Sequence, residues 1–233
     1  MPSESLEFTG ERVVEGDTPE RVWQEHVARY RFAASRASNK EVLDVACGTG
    51  YGSRMMLDAG ARRVVGVDIS PEAIAYARSR YATDRLTFAV GEAADLDGLG
   101  QFDLIVCYEA IEHVADAGAC VAAAAGALRP GGQYLVSTPN VSPVLARMGK
   151  SSASQFHRTD YDARSFRQVL EPHFADIALF GQVWYPLTRA GKALWWLRRK
   201  LNRLPRAPRP LGRHRGRSIP FYLVAICRDP RSP

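Results

Sequence analysis

No apolar run in the 233 residues approaches the roughly twenty needed to cross a bilayer, and no charged and then apolar leader opens the chain. Nothing points to secretion or membrane insertion, so a cytoplasmic location is expected. Cysteine is scarce: Cys47, Cys107, Cys120 and Cys227 show no CxxC spacing, and Cys107 and Cys227 fall in apolar runs that read as strands. That argues against thiolate metal and redox motifs and for reduced thiols packed as small hydrophobes. Acid is missing from Leu187 to Arg217, which carries eleven Lys and Arg. The net charge is +6, yet the remainder holds 20 bases against 25 acids. All the excess positive charge therefore sits in one segment, and the rest has no electrostatic reason to seek nucleic acid. No internal repeat is present.

What is present is alternation. EVLDVA, RRVVGVD, LTFAV, FDLIVCY, GQYLVST, ADIALFG and FYLVAICR are short and rich in Val, Ile and Leu. Helix-length patterns separate most of them: Tyr51 to Ala59, Pro71 to Tyr81, Ala117 to Leu128 and Asp162 to Leu170. Such spacing predicts βαβ units, a largely parallel sheet covered on both faces, and a doubly wound α/β architecture. Ser70 before Pro71 reads as an N-cap with proline at the first helical position, and the Arg129 to Gly132 stretch, RPGG, as a helix stop. The chain divides into an N-terminal arm and helix (1–35) able to cover the sheet, a core (36–182), a basic insertion (183–217), and a final strand and tail (218–233).

EVLDVACGTGYGS sets Gly48, Gly50 and Gly52 between a buried strand and a helix, where glycine permits positive φ and close approach of backbone amides to a ligand. Asp68, ending the second strand, is placed to accept hydrogen bonds from ribose hydroxyls. A pyrophosphate-binding GxGxxG would need Gly or Ala at position 53, which is Ser53. Asp44 would repel a pyrophosphate but attract an amino acid's ammonium. S-adenosylmethionine suits this combination better than NAD.

LDVACGTG resembles the first motif of the class I methyltransferases, with Ala46 where glycine is more frequent, and the resemblance runs from about Val42 to Ser137. It implies a Rossmann-like seven-stranded sheet with the last strand antiparallel. It also implies that Asp44, Ala46, Gly48 and Gly50 surround the methionyl part of S-adenosylmethionine. Asp68 would hold the ribose, Ile69 would lie under the adenine, and Glu92 and Ala93 would stand near its amine.

CYEAIEHV places Glu109, Glu112 and His113 within five positions, and on a helix these spacings converge on one face. The ExxEH resembles two groups, the ubiquinone-biosynthesis O-methyltransferases and the small-RNA 2′-O-methyltransferases. That likeness implies a divalent metal, Mg²⁺, Mn²⁺ or Zn²⁺, on Glu109, Glu112 and His113. By resemblance to the small-RNA group, His157 in SQFHRTDY becomes a further ligand, and by resemblance to the ubiquinone group Tyr108 lies against the cofactor. A metal-free role, with His113 as general base supported by Glu112, stays open. The expected reaction is O-methylation of a small-molecule hydroxyl in a diol, catechol or sugar. An N- or C-methyltransferase, or a non-catalytic cofactor-binding subunit, is the alternative.

Leucines at 187, 194, 197, 201 and 204 alternate with Arg198, Arg199, Lys200 and Arg203, which predicts an amphipathic helix over 187–204 with a basic face, ended before Pro205. Three readings stay open for it: a lid or homodimer contact, a peripheral membrane contact with Trp195 and Trp196 at the interface, and RNA binding.

Overall fold

The structure is a computed structural model that describes residues 13–149, 154–188, 191–193, 196–197, 207–211 and 218–231. Its elements in chain order are α1 (Glu20–Ala34), β1 (Glu41–Val45), α2 (Tyr51–Asp58), β2 (Arg63–Asp68), α3 (Pro71–Tyr81), β3 (Leu86–Val90), β4 (Phe102–Tyr108) and α4 (Ala117–Gly126). There follow β5 (Leu128–Pro139), α5 (Pro143–Arg147), α6 (Ala163–Leu170), β6 (Phe174–Pro186), β7 (Arg209–Pro210) and β8 (Ser218–Pro230).

The strands form one sheet in the order β3-β2-β1-β4-β5-β8-β6-β7. β1 to β5 are parallel neighbours, and β8 runs antiparallel between β5 and β6. The expected seven strands become eight because β7, two residues long, pairs with Phe180 and Gly181 of β6. β6 continues to Pro186, so the core passes the boundary expected at residue 182.

Successive strand residues feed opposite layers. Leu43, Ile105, Cys107 and Val136 pack with α4 and α6, whereas Val42, Leu104, Val106 and Leu135 pack with α1, α2 and α3. Each large apolar side chain so buried stabilises the fold by roughly 1.5–3 kcal/mol. Local signals set the helix starts. The Ser70 hydroxyl accepts from the Ala73 amide at 3.2 Å ahead of Pro71, Asp116 caps α4, and Asp162 forms a capping box with Ser165 on α6.

All four cysteines are buried and free. Among the described residues no helix is long and apolar enough to cross a membrane. The predicted basic helix lies mostly outside the described residues. Of it, Gly191 to Ala193 and Trp196 and Leu197 are helical, and Leu187, Trp196 and Leu197 are exposed. Trp195, Leu194, Arg198 to Leu204 and the arm before Val13 lie outside the described residues.

Candidate active site

β1 has β2 on one side and β4 on the other, so the strand order reverses there, and open α/β sheets bind ligands at that crevice. The loop after β1 turns on three left-handed residues: Ala46 at φ 56°, Gly48 at 53° and Gly50 at 82°. Ala46 is strained there where glycine would not be. A Cβ on Gly48 would meet nothing within 4 Å, so this glycine serves the turn and leaves its surroundings open. A Cβ on Gly50 would strike Ala77 and Phe88, and one on Gly52 would lie 2.1 Å from the Tyr30 ring. Those two glycines let α2 seat against α3 and α1.

Asp68 braces the loop: Oδ2 accepts the Gly48 amide at 2.8 Å and Oδ1 the Ser70 amide at 2.9 Å. Just beyond it Ile69 is 68% exposed, and Val90 at the end of neighbouring β3 is 50% exposed. Two bare aliphatic side chains at adjacent strand ends form a greasy shelf such as a flat base covers. The Gly91 amide donates to the Asp68 carbonyl at 3.1 Å, which brings the exposed Glu92 and half-buried Ala93 to the same edge.

Asp44 is fully buried and accepts from Ser53 Oγ at 2.6 Å and Tyr30 Oη at 3.2 Å. Burial pushes its carboxyl up to about 7, against the pull of those two hydroxyls. Ser53, the residue that breaks a pyrophosphate fingerprint, is thus the partner of Asp44.

The stretch Glu109 to His113 is not helical. Glu109 has φ 53°, residues 111–113 form a turn, and α4 begins only at Ala117. The four candidate ligands consequently divide. Glu112, His113 and His157 gather with one ligand atom each within 4.8 Å of one another. Glu109 turns instead to Ser137, whose hydroxyl donates to Oε1 at 2.6 Å, and to Arg29, whose Nη2 lies 3.8 Å from Oε2.

In the gathered set, Glu112 Oε2 is buried without a hydrogen-bond partner, and burial, reinforced by the Glu109 charge, pushes the Glu112 carboxyl well above the usual carboxylate range. His113 Nδ1 lies 3.1 Å from the Phe156 carbonyl, which can only accept, so Nδ1 carries a proton and Nε2 is the nitrogen left to face Glu112, 3.8 Å from its Oε1. His157 Nδ1 lies 3.0 Å from Asp160 Oδ1, which orients its Nε2 similarly. The rings of the two histidines stand 5.2 Å apart, edge to face. The amides of Arg158 and Thr159 donate to the Glu112 carbonyl at 2.8 and 3.2 Å, fixing the second loop on the first.

Sequence reasoning missed Arg29. It is completely buried, Nη1 donates to Gln182 Oε1 at 2.6 Å, and the guanidinium lies 4.6 Å from the Tyr222 ring centroid. Nε and Nη2 make no hydrogen bond. Nothing in its helical stretch distinguishes it from Arg21 or Arg31; its pairing with Glu109 and Gln182 is made across the fold. Tyr108 is buried against Tyr30, with rings 5.4 Å apart and its hydroxyl unpartnered.

Residues 42–132, which include the glycine loop, Asp68 and Glu109 to His113, match a family model described as a methyltransferase domain. The chain carries a class I S-adenosylmethionine-dependent methyltransferase core. This methyltransferase core is 34% identical over 174 residues to a Mycolicibacterium smegmatis protein named as a probable S-adenosylmethionine-dependent methyltransferase, over 73% of this chain and 65% of that protein. It is 39% identical over 107 residues to the ubiquinone biosynthesis O-methyltransferase of Aromatoleum aromaticum, over 44% of this chain and 45% of that one. The chain thus spans from under half to just under two thirds of the length of the curated relatives it matches. Among solved structures it is similar to the magnesium protoporphyrin IX methyltransferase of Synechocystis, solved with S-adenosylhomocysteine (TM-score 0.59, 18% identity, 93% of this chain and 90% of that one). It is also similar to the N-methyltransferase NodS of Bradyrhizobium japonicum (TM-score 0.58, 18% identity, 93% and 90%). At such identities these two likenesses bear on the fold alone.

Proposed function

We propose that this protein transfers the methyl group of S-adenosylmethionine to a hydroxyl oxygen of a small molecule, with a divalent cation held by Glu112, His113 and His157. The observation that carries this reading is the buried, unpartnered Glu112 Oε2 beside two imidazoles, one loop away from the glycine turn. One carboxylate and two imidazoles fit Mn²⁺ or Zn²⁺, and Mg²⁺ less closely because it favours oxygen. When bound, the ion would lower the pKa of an acceptor hydroxyl and fix its direction. A diol, catechol or sugar suits such a site, and the ubiquinone-pathway relatives favour oxygen as the acceptor atom.

The chain's own groups have separable tasks in this reading. Asp68 holds the ribose while bracing the Gly48 amide, and the shelf of Ile69 and Val90 takes the adenine, near Glu92 and Ala93. Asp44, with Gly48 and Gly50, faces the methionyl ammonium, and Arg29 and Tyr108 close the site opposite. With the ion bound, His113 Nε2 would be one of its ligands and the acidified hydroxyl would lose its proton to solvent; without the ion, His113, with Nδ1 held by the Phe156 carbonyl, would take the acceptor's proton on Nε2. The oxygen–methyl bond forms as the sulfur–methyl bond breaks, and S-adenosylhomocysteine leaves.

The arm before residue 35 serves as the cover of the site, and the basic insertion gives the protein, acting in the cytoplasm, a peripheral hold on anionic membrane through the exposed Trp196 and Leu197. Activity is the test. Catechol should be methylated by the dialysed protein only after Mn²⁺, Zn²⁺ or Mg²⁺ is restored, and chelator should abolish turnover. Full turnover in chelator would remove the ion and leave His113 as a base acting alone. Turnover confined to amine or carbon acceptors would remove the oxygen assignment.

A further inference from the structure

A cavity of about 650 Å³ opens between the start of α6, the end of β6 and the start of β8. Pockets for small molecules fall in this range. Its hydrophobic wall is built by Leu179, Trp184, Leu211, Ile219, Pro220 and Leu223. Apart from the exposed Arg164 and from Ser218, the polar residues of the lining are committed to the fold. Asn140 Nδ2 donates to the Pro220 carbonyl at 2.7 Å, Ser142 caps α5, Asp162 caps α6, and Arg167 Nη2 donates to the Ile177 carbonyl at 2.9 Å. What remains to meet a ligand is mainly hydrocarbon.

Residues 157–163 run from the candidate active site to the wall of the cavity. Along residues 157–162, His157 belongs to the cluster with Glu112, and the next two amides hold the Glu112 carbonyl. Tyr161 bridges Asn140, and Asp162 and Ala163 line the cavity. Four residues thus lie between a ligand of the cluster and the cavity wall. We infer that this cavity receives an apolar, hydrocarbon extension of the methyl acceptor while the acceptor's hydroxyl stands at Glu112, His113 and His157. The inference rests on the O-methylation reading for the position of the hydroxyl, but its test does not depend on turnover.

The test is calorimetry on the full chain saturated with S-adenosylhomocysteine, titrated with 4-alkylcatechols from methyl to dodecyl. Each added methylene should strengthen binding about three- to fourfold until the cavity is filled, after which affinity levels off. Ala163→Phe and Ser218→Phe place a ring in the cavity from opposite walls. Each should flatten the series while leaving 4-methylcatechol and S-adenosylhomocysteine binding within twofold, and that last affinity shows that the variant is folded. A flat series in the unaltered protein, or a steep one that both folded variants retain, overturns the inference. A steep series lost in the variants, with no catechol ever methylated, would support the cavity's role and refute the O-methylation reading.

Discussion

The Gly48 amide donates to Asp68 Oδ2 at 2.8 Å, so the loop after β1 and the acid that ends β2 form one unit before any ligand arrives. A carboxylate that already braces the loop has a second lobe, Oδ1, held by the Ser70 amide at 2.9 Å, and its orientation is fixed from both sides. Asp68→Ala should therefore weaken S-adenosylmethionine binding by about 2 kcal/mol or more, the scale for losing charge-assisted hydrogen bonds. Calorimetry checks this; unchanged affinity in a folded variant would remove Asp68 from the cofactor site.

Arg29 and Glu109 form a pair in which the arginine is wholly buried. Removing one member strands the other's charge, so Glu109→Gln should cost about 2 to 4 kcal/mol in urea unfolding. Arg29→Met with Glu109→Gln should cost less than the sum of the single changes. Additive effects would mean that the pair does not couple.

Asp44 sets a pH dependence. Its native carboxyl keeps the proton up to about 7, whereas the unfolded chain releases it at about 4. Between those values the native state binds more protons, so Asp44 makes stability fall as pH rises from about 4 to about 7 and level off above. The limit for one group is about 1.4 kcal/mol per pH unit. The difference between the unaltered protein and Asp44→Asn, followed by urea unfolding across that window without cofactor, should show this slope. A pH-independent difference would contradict it.

Gly52→Ala should destabilise by about 1 to 3 kcal/mol, the usual cost of overpacking, because its Cβ would enter the Tyr30 ring. Displacing Tyr30 also loosens its hydrogen bond to Asp44, so cofactor affinity should fall with the unfolding temperature. Gly48→Ala, with open space around it, should lose about 1 kcal/mol from its left-handed φ alone. Equal unfolding temperatures for the two variants would contradict this account.

The basic insertion should bind anionic vesicles at low salt and release them at high salt, since attraction between its cations and the surface is screened. Sedimentation with and without residues 187–204 reads this directly. Equal recovery in the supernatant in all cases would leave the segment as a cover or a contact between copies of the chain.

Much of the frame is written in local pattern. The runs LTFAV and FDLIVCY are β3 and β4 as they stand, and Ser70-Pro71 starts α3 at the expected residue, because strand burial and helix capping depend on residues a few positions apart. The glycine loop and Asp68 were likewise legible, since a turn that needs left-handed backbone is stated by its glycines. The convergence that a helix would give Glu109, Glu112 and His113 does not form. That stretch leaves the end of a central strand, where the Ser137 hydroxyl and carbonyl take the Glu109 amide and hold a turn instead.

Sequence by itself determined the order of most elements, the doubly wound class, the glycine loop with Asp68 beside it, and the residues proposed as ligands. Only the tertiary structure decided which acids act together. It sent Glu109 to Arg29 and left Glu112 with His113 and His157, it gave Ser53 and Tyr30 to Asp44, and it placed a cavity with a hydrophobic wall where the segment from His157 reaches Asp162 and Ala163. These partners lie on different elements, brought together when the two faces of the sheet are buried. A buried charge must find its compensation there, wherever the chain happens to supply it.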